Sequence, residues 1–95
     1  MDGTNDTKYV KCADENYDGE ITSVGYSNKV HGEPVGEKSK KEVIDDLRTG
    51  EEYEVAVREG NQWNTQQIHV YDGKWLRIDD EEKEEDDLGK VPECG

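Results

Sequence analysis

Phenylalanine is absent from this chain, methionine occurs once, and proline and cysteine occur twice each in 95 residues. The strong aliphatics number nine Val, four Ile and three Leu. No run of them approaches the roughly 20 apolar residues that span a bilayer, so a membrane helix is excluded. Two cysteines are too few for the stapled framework of a small secreted domain. Cys12 and Cys94 therefore read as reduced thiols in a cytosol rather than as a bridge. The opening Met1-Asp2-Gly3-Thr4-Asn5-Asp6 is polar and acidic, unlike a secretory signal, which starts basic and continues apolar. The expected location is cytoplasmic, and the sequon Asn5-Asp6-Thr7 reads as chance. Basic residues are scarce too. Twelve Lys and Arg stand against 25 Asp and Glu, a net charge of -13. Such a chain has little means of holding a phosphate backbone, so nucleic acid is excluded as a partner.

The acid excess is what the chain has in abundance. At low salt it repels itself and opposes the compact state. The Debye length falls from about 10 Å at 0.1 M salt to about 3 Å at 1 M. The composition therefore points to the cytosol of a salt-loving prokaryote. High charge with few apolar residues is also the signature of disorder. That is expected for residues 1–7 and for the acidic run 79–87. It is not expected for the middle of the chain, where the apolar residues are periodic. Residues 8–95 are read as one domain.

Residues 8–13 alternate as a strand. Residues 20–26 form a second, with Ile21, Val24 and Tyr26 unevenly spaced, which predicts a bulge near Ser23. Asp18-Gly19 favours the turn between them. Residues 27–38 read as a loop. Ser39-Lys40-Lys41-Glu42 is a capping box that opens a helix. Val43, Ile44 and Leu47 share one face of that helix, and Gly50 ends it. Tyr53, Val55 and Val57 mark a half-buried strand. Residues 59–64 read as a loop, and 65–71 and 74–79 as the last two strands.

A three-residue loop, Tyr71-Asp72-Gly73, would pair Ile68 with Leu76 and His69 with Trp75. Ile68, Val70, Leu76 and Ile78 then share one face. The expected fold is α+β: an antiparallel or mixed sheet of about five strands, one helix on one face, order β-β-α-β-β-β. The order also suggests a β-grasp, and with it a ubiquitin-like modifier. An ending of Cys94-Gly95 rather than two glycines weakens that reading.

Three segments resemble domain of unknown function family 3892, a family of small prokaryotic proteins. They are Gly19-Glu20-Ile21-Thr22, the stretch from Ser39 through Ile44 to Gly50 and Tyr53, and the ending Asp86-Asp87-Leu88-Gly89-Lys90-Val91-Pro92-Glu93-Cys94. Asp87 and Val91 stand where the family usually has Asn and Leu, and Trp75 stands where Tyr is usual. The resemblance covers about residues 19–94. It implies a compact domain with an ordered C-terminus and no particular chemistry.

Asp14, Asn16, Asp18 and Glu20 fall in the spacing of the first half of a calcium loop. Gly25 stands where the bidentate Glu is needed, and strands flank the segment, so a plain acidic turn competes. Calcium is the one cofactor the sequence allows. Gly32 to Ser39 fails as a phosphate loop on spacing, and Glu37 would face the phosphate. Cys12, Cys94, His31 and His69 lack the paired spacing of zinc ligands.

His69, Tyr71 and Trp75 are expected to project away from the helix, beside Ala56, as a surface for a protein partner. The competing reading is a minor core closed by Trp63 or by Leu88, Val91 and Pro92. The acidic run 79–87 is placed near Lys38, Lys40 and Lys41. No nucleophile has a partner that spacing identifies. The chain reads as a binding or interaction module, not an enzyme. The charge makes one test immediate. Thermal stability should rise from about 0.1 M to about 2 M KCl as repulsion is screened. Melting temperatures that stay flat or fall over that range would remove the halophile argument.

Overall fold

The computed structural model describes residues 7–94. The disorder expected for residues 1–7 therefore lies, Thr7 apart, outside the described residues, as does the sequon's Asn5. The chain is α+β, with strands β1 (Lys8–Glu15), β2 (Ile21–Ser27) and β3 (Gly36–Ser39), then helix α1 (Lys40–Arg48). Strands β4 (Tyr53–Glu59), β5 (Gln62–Gln67), β6 (His69–Tyr71) and β7 (Trp75–Arg77) follow. The main sheet is mixed and runs β3-β2-β1-β4-β5, and β6 and β7 form a separate two-stranded sheet. Among the described residues no helix is long and apolar enough to cross a membrane.

The helix forms where its capping box lies. Ser39 Oγ accepts from the Glu42 amide at 3.2 Å, and the Glu42 carboxylate accepts from the Ser39 amide at 3.0 Å. The Ser39 amide holds the Glu42 carboxyl below its ordinary range. Gly50 follows the helix end with φ +96°, where a side chain would strain the backbone. Val43 and Ile44 bury the apolar stripe against Val10, Val24 and Val55 of the sheet. Tyr53 is fully buried and donates its hydroxyl to Asp46 at 2.5 Å, tying β4 to the helix. Burial and that carboxylate push the Tyr53 phenol well up.

Two bulges shape the β1–β2 hairpin. Asp14 faces Ser23 but Glu15 faces Ile21, so Thr22 is extra, at the bulge that the spacing of Ile21 and Val24 predicts. The second bulge inserts Lys11 between Val10, opposite Tyr26, and Cys12, opposite Gly25. It turns Lys11 and Cys12 toward the sheet face away from α1, since Val10 and Ala13 both stay in the core.

Several elements differ from the sequence reading. Residues 36–39 pair with β2 as β3, at the end of the expected loop and through the helix cap Ser39. Residues 59–64 are not a loop but the close of the β4–β5 hairpin, turning at Gly60 with φ +63°. Both segments lie at sheet edges and carry almost no aliphatic side chains. Backbone pairing holds them, and hydrophobic periodicity cannot reveal that. The strand expected at 65–71 breaks at Ile68, whose amide still bonds Tyr53 before the chain enters the second sheet.

The final hairpin pairs Val70 with Leu76 and Tyr71 with Trp75, two residues away from the expected register. Its loop is Asp72-Gly73-Lys74, with Asp72 and Gly73 both left-handed. A shift of two preserves the faces, so Ile68 and Leu76 are buried as expected, with Val70 and Ile78 packed at their side. β4 lies parallel to β1 and is the first strand after the helix. In a β-grasp sheet the last strand takes that place, so the ubiquitin-like order is absent.

The acidic run departs from the sequence reading in part: residues 80–85 are exposed, and the run meets Lys40 as expected, but it is anchored by two buried groups. Asp86 has no exposed side-chain surface. Its carboxylate accepts from the Ile21 amide, the Leu76 amide and Lys40 Nζ, each at 2.8 Å. Arg77 is 1 % exposed and forms a two-pronged pair with Asp79 at 2.8 and 2.9 Å. Arg77 also donates to the Glu85 carbonyl at 2.9 Å. The guanidinium holds the Asp79 carboxyl below its ordinary range. Isolated acids would be solvated, but here two cations and two strand amides need acceptors.

Asp86→Ala should therefore destabilise the fold by about 2–4 kcal/mol, since it leaves two strand amides and the partly covered Lys40 ammonium unpaired. The exposed Asp80→Ala should stay within about 0.5 kcal/mol of the parent. Denaturant melts giving equal midpoints for both variants would contradict this account of the run.

Candidate binding cleft on the open sheet face

Ala56 was expected on an outer face, yet it is 2 % exposed. Two segments cover it. One is the loop after β2, which brings His31, Glu33 and Pro34 over the sheet. The other is the C-terminal segment. β1 pairs with β4 only from Lys8 to Val10. Beyond the bulge β1 leaves β4, and the Pro92 carbonyl accepts from the Ala13 amide at 2.9 Å in the vacated place. Leu88 anchors this segment in the main core.

Cys94 ends the segment in a disulfide with Cys12, which corrects the reading of two reduced thiols. Their positions 82 residues apart hid the pairing, because only the fold brings the last turn of chain to the first strand. Gly25 makes room for the bridge. A Cβ there would lie 2.5 Å from Cys12 Sγ and 3.4 Å from Cys94 Sγ.

Between these covers lies a cleft of about 550 Å³ lined by Lys11, His31, Ala56, Arg58, Trp63 and Lys90, with Pro34 and Pro92 as apolar walls. That is a size suited to a small ligand. Lys11 reaches it because the bulge turns it there. The residue is 8 % exposed. Its ammonium lies 3.6 Å from the centre of the Trp63 ring and donates to the Val30 carbonyl. Burial lowers its pKa. His31 stands edge-on to Trp63, ring centres 6.2 Å apart. Arg58 pairs with Trp63 across β4–β5 and spends Nε on the Gly60 carbonyl at 3.1 Å. Among the described residues, no carboxylate forms an ion pair with Lys11, Arg58 or Lys90.

The residues singled out from sequence fall elsewhere. In the Asp14–Glu20 turn, Asn16 Oδ1 accepts from the Asp18 and Glu20 amides at 2.9 and 3.0 Å. Asp14 accepts from the Ser23 hydroxyl at 3.3 Å. Two of the four candidate side chains, Asn16 and Asp14, are thus engaged in closing the hairpin. Among the described residues, no three His, Cys, Asp or Glu side chains converge as a metal site requires. Asp14, Asn16, Asp18 and Glu20 are therefore not assembled into a calcium cage.

Cys12 and Cys94 meet each other, while His31 and His69 lie apart, one in the cleft and one exposed on β6. His69, Tyr71 and Trp75 do share one side of the hairpin, with Tyr71 opposite Trp75 and His69 opposite Arg77. They are not joined by Ala56, which lines the cleft, and Trp75 packs beside α1 rather than away from it. The competing reading, a covered surface closed by Trp63 and Pro92, describes the Ala56 face. Sequence reasoning missed Lys11, Arg58 and Lys90 because each looks like an ordinary solvated base. Residues 8–13 alternate regularly in sequence, so no spacing signal marks the bulge that turns Lys11 toward the cleft.

No family model matches the chain, and no curated protein or solved structure matches it. The resemblance to family 3892 rests on its three segments alone.

Reducing the Cys12–Cys94 bridge should lower stability by roughly 2–5 kcal/mol, as expected for so long a covalent loop. Because Lys90 and Pro92 lie on the tethered segment, the amide signals of Ala13, Lys90 and Val91 should move as well. Unchanged melting and unchanged spectra in reductant would mean that the segment is held without the bridge.

Proposed function

We propose that this protein is a binding module without catalysis, and that the Lys11–Trp63 cleft takes a small organic anion. One observation carries the reading. Three of the chain's 12 Lys and Arg line this cleft but only one of its 25 Asp and Glu, Glu33, does so. A recess that sets three cations over an aromatic ring and between two prolines has the chemistry for a carboxylate or phosphate on an apolar body. Lys11 keeps donor capacity beyond Val30, since an ammonium has three protons.

The disulfide supports placing the folded protein in an oxidising compartment rather than in the cytoplasm. A saline exterior would accommodate the acid excess by the same screening as a saline cytosol.

Benzoate, citrate and phenyl phosphate are suitable probes, followed by Trp63 emission in a Trp75→Phe background and by amide shifts. At least one should saturate, moving the signals of Lys11, His31, Arg58 and Trp63. Lys11→Met should weaken it about tenfold or more, since a hydrogen bond to a charged group contributes about 1.5–3 kcal/mol. The exposed Lys90→Glu should weaken it in the same direction. No saturation up to tens of millimolar, or equal affinity in both variants, would end the proposal.

A further inference from the structure

A second recess gathers cations on the other side of the molecule. It is a groove of about 520 Å³ between α1 and the β6–β7 hairpin. Lys40, Lys41, Arg48 and Lys74 line it around Ile44 and Trp75. Four of the chain's 12 basic residues thus meet in one place, with Glu20 and Asp45 as its carboxylates.

The groove is built rather than incidental. Trp75 is half-buried, and the Lys40 ammonium lies 4.8 Å from its ring centre. Lys40 is itself fixed by the buried Asp86 carboxylate at 2.8 Å. The indole therefore rests on a side chain that has little freedom to move. Arg48 reaches across to the hairpin turn, where a Cβ on Gly73 would come within 2.7 Å of its guanidinium. Gly73, left-handed at φ +67°, allows that approach. Lys41 and Arg48 are seven positions apart on one helix face and exposed, and Lys74 is exposed on the turn opposite. The half-buried Trp75, with the edge of the core residue Ile44 beside it, thus lies between Lys41 and Arg48 on one bank and Lys74 on the other.

The far side of Trp75 has the opposite sign. There the ring borders Asp18, Glu20, Glu84 and Glu85. The tryptophan marks the line between a basic and an acidic surface. A docked chain must match both, and that sets its direction.

We infer that this groove docks an extended acidic segment of a partner protein. Its carboxylates meet Arg48 and Lys74, one apolar side chain sits on Trp75 and Ile44, and the part passing over Glu84 and Glu85 carries no negative charge. Trp and Arg are the residue types most enriched at binding hot spots. The local cations offset the long-range repulsion of a -13 chain, and that repulsion fades faster with salt than contact pairs do. This site is separate from the Lys11–Trp63 cleft and does not depend on it.

The test uses the full chain, amide shifts, and a synthetic peptide of consecutive glutamates followed by leucine and glycine. The glutamate peptide should move the signals of Ile44, Arg48, Lys74 and Trp75 and leave those of Lys11 and Trp63 in place. Arg48→Glu combined with Lys74→Glu should weaken it about tenfold or more, as should Trp75→Ala. Lys90→Glu, in the other cleft, should not. Because Arg48 and Lys74 are exposed, the charge-reversed variant should stay folded, with a somewhat lower melting temperature from the added acid excess, and remain interpretable if Trp75→Ala does not fold.

The inference is overturned by shifts elsewhere on the protein, by equal binding to the Arg48/Lys74 variant, or by equal binding of a lysine-for-glutamate peptide. Tighter binding of an oligothymidylate at the same residues would also overturn it, in favour of a single-stranded nucleic acid.

Discussion

The Asp86 carboxylate holds three parts of this structure in register. One oxygen takes the Ile21 amide and the Lys40 ammonium, and the other takes the Leu76 amide. Those three groups belong to the start of β2, the start of α1 and the middle of β7. The carboxylate is wholly covered. It is therefore a charge removed from water, tolerable only because every partner is in place. A single acid thus couples the main sheet, the helix and the small second sheet. In a chain with so few large apolar residues, buried polar links supply order that a larger hydrophobic core would otherwise impose. Arg77 does the same for the segment that follows, through Asp79 and the Glu85 carbonyl.

The second organising feature is the bulge at Lys11. One extra residue turns Lys11 and Cys12 to the same side. The first becomes the floor of a cationic cleft, and the second becomes the anchor for the end of the chain. The same irregularity separates β1 from β4, and Pro92 enters the gap. The cleft, the tail and the bridge are thus consequences of one local departure from regular pairing. That suits the general use of bulges to re-aim side chains.

Much of the fold was legible. The capping box Ser39–Glu42 located the helix, the uneven Ile21 and Val24 located a bulge, and the alternation around Ile68 and Leu76 assigned the hairpin's faces. These are local signals with a fixed period. What stayed hidden was non-local or polar. β3 and β5 are edge strands whose side chains carry no apolar pattern. Asp86 looks like its acidic neighbours, and only the arrival of Lys40 and two amides distinguishes it. The charge of the run 79–87 argued for solvation because sequence shows a residue's own charge and not its partners. The hairpin register missed by two because that shift leaves the inside–outside pattern untouched. Trp75 was recognised as a surface residue. Apart from Lys74, its basic surroundings come from α1, an element more than twenty residues away, and no spacing rule joins them.

The bridge between Cys12 and Cys94 closes almost the whole described chain into a single covalent ring. A peptide bond cut once anywhere inside that ring does not divide the molecule. The loop after β2, with Val35 65 % exposed, and the turn tipped by the fully exposed Tyr17 are the places a protease would first reach. A nick there produces new ends but no fragment that can diffuse away. The cut pieces remain at high effective concentration and can re-form their pairing. For a small domain with a thin core, such topology turns backbone cleavage from loss of the protein into a local defect.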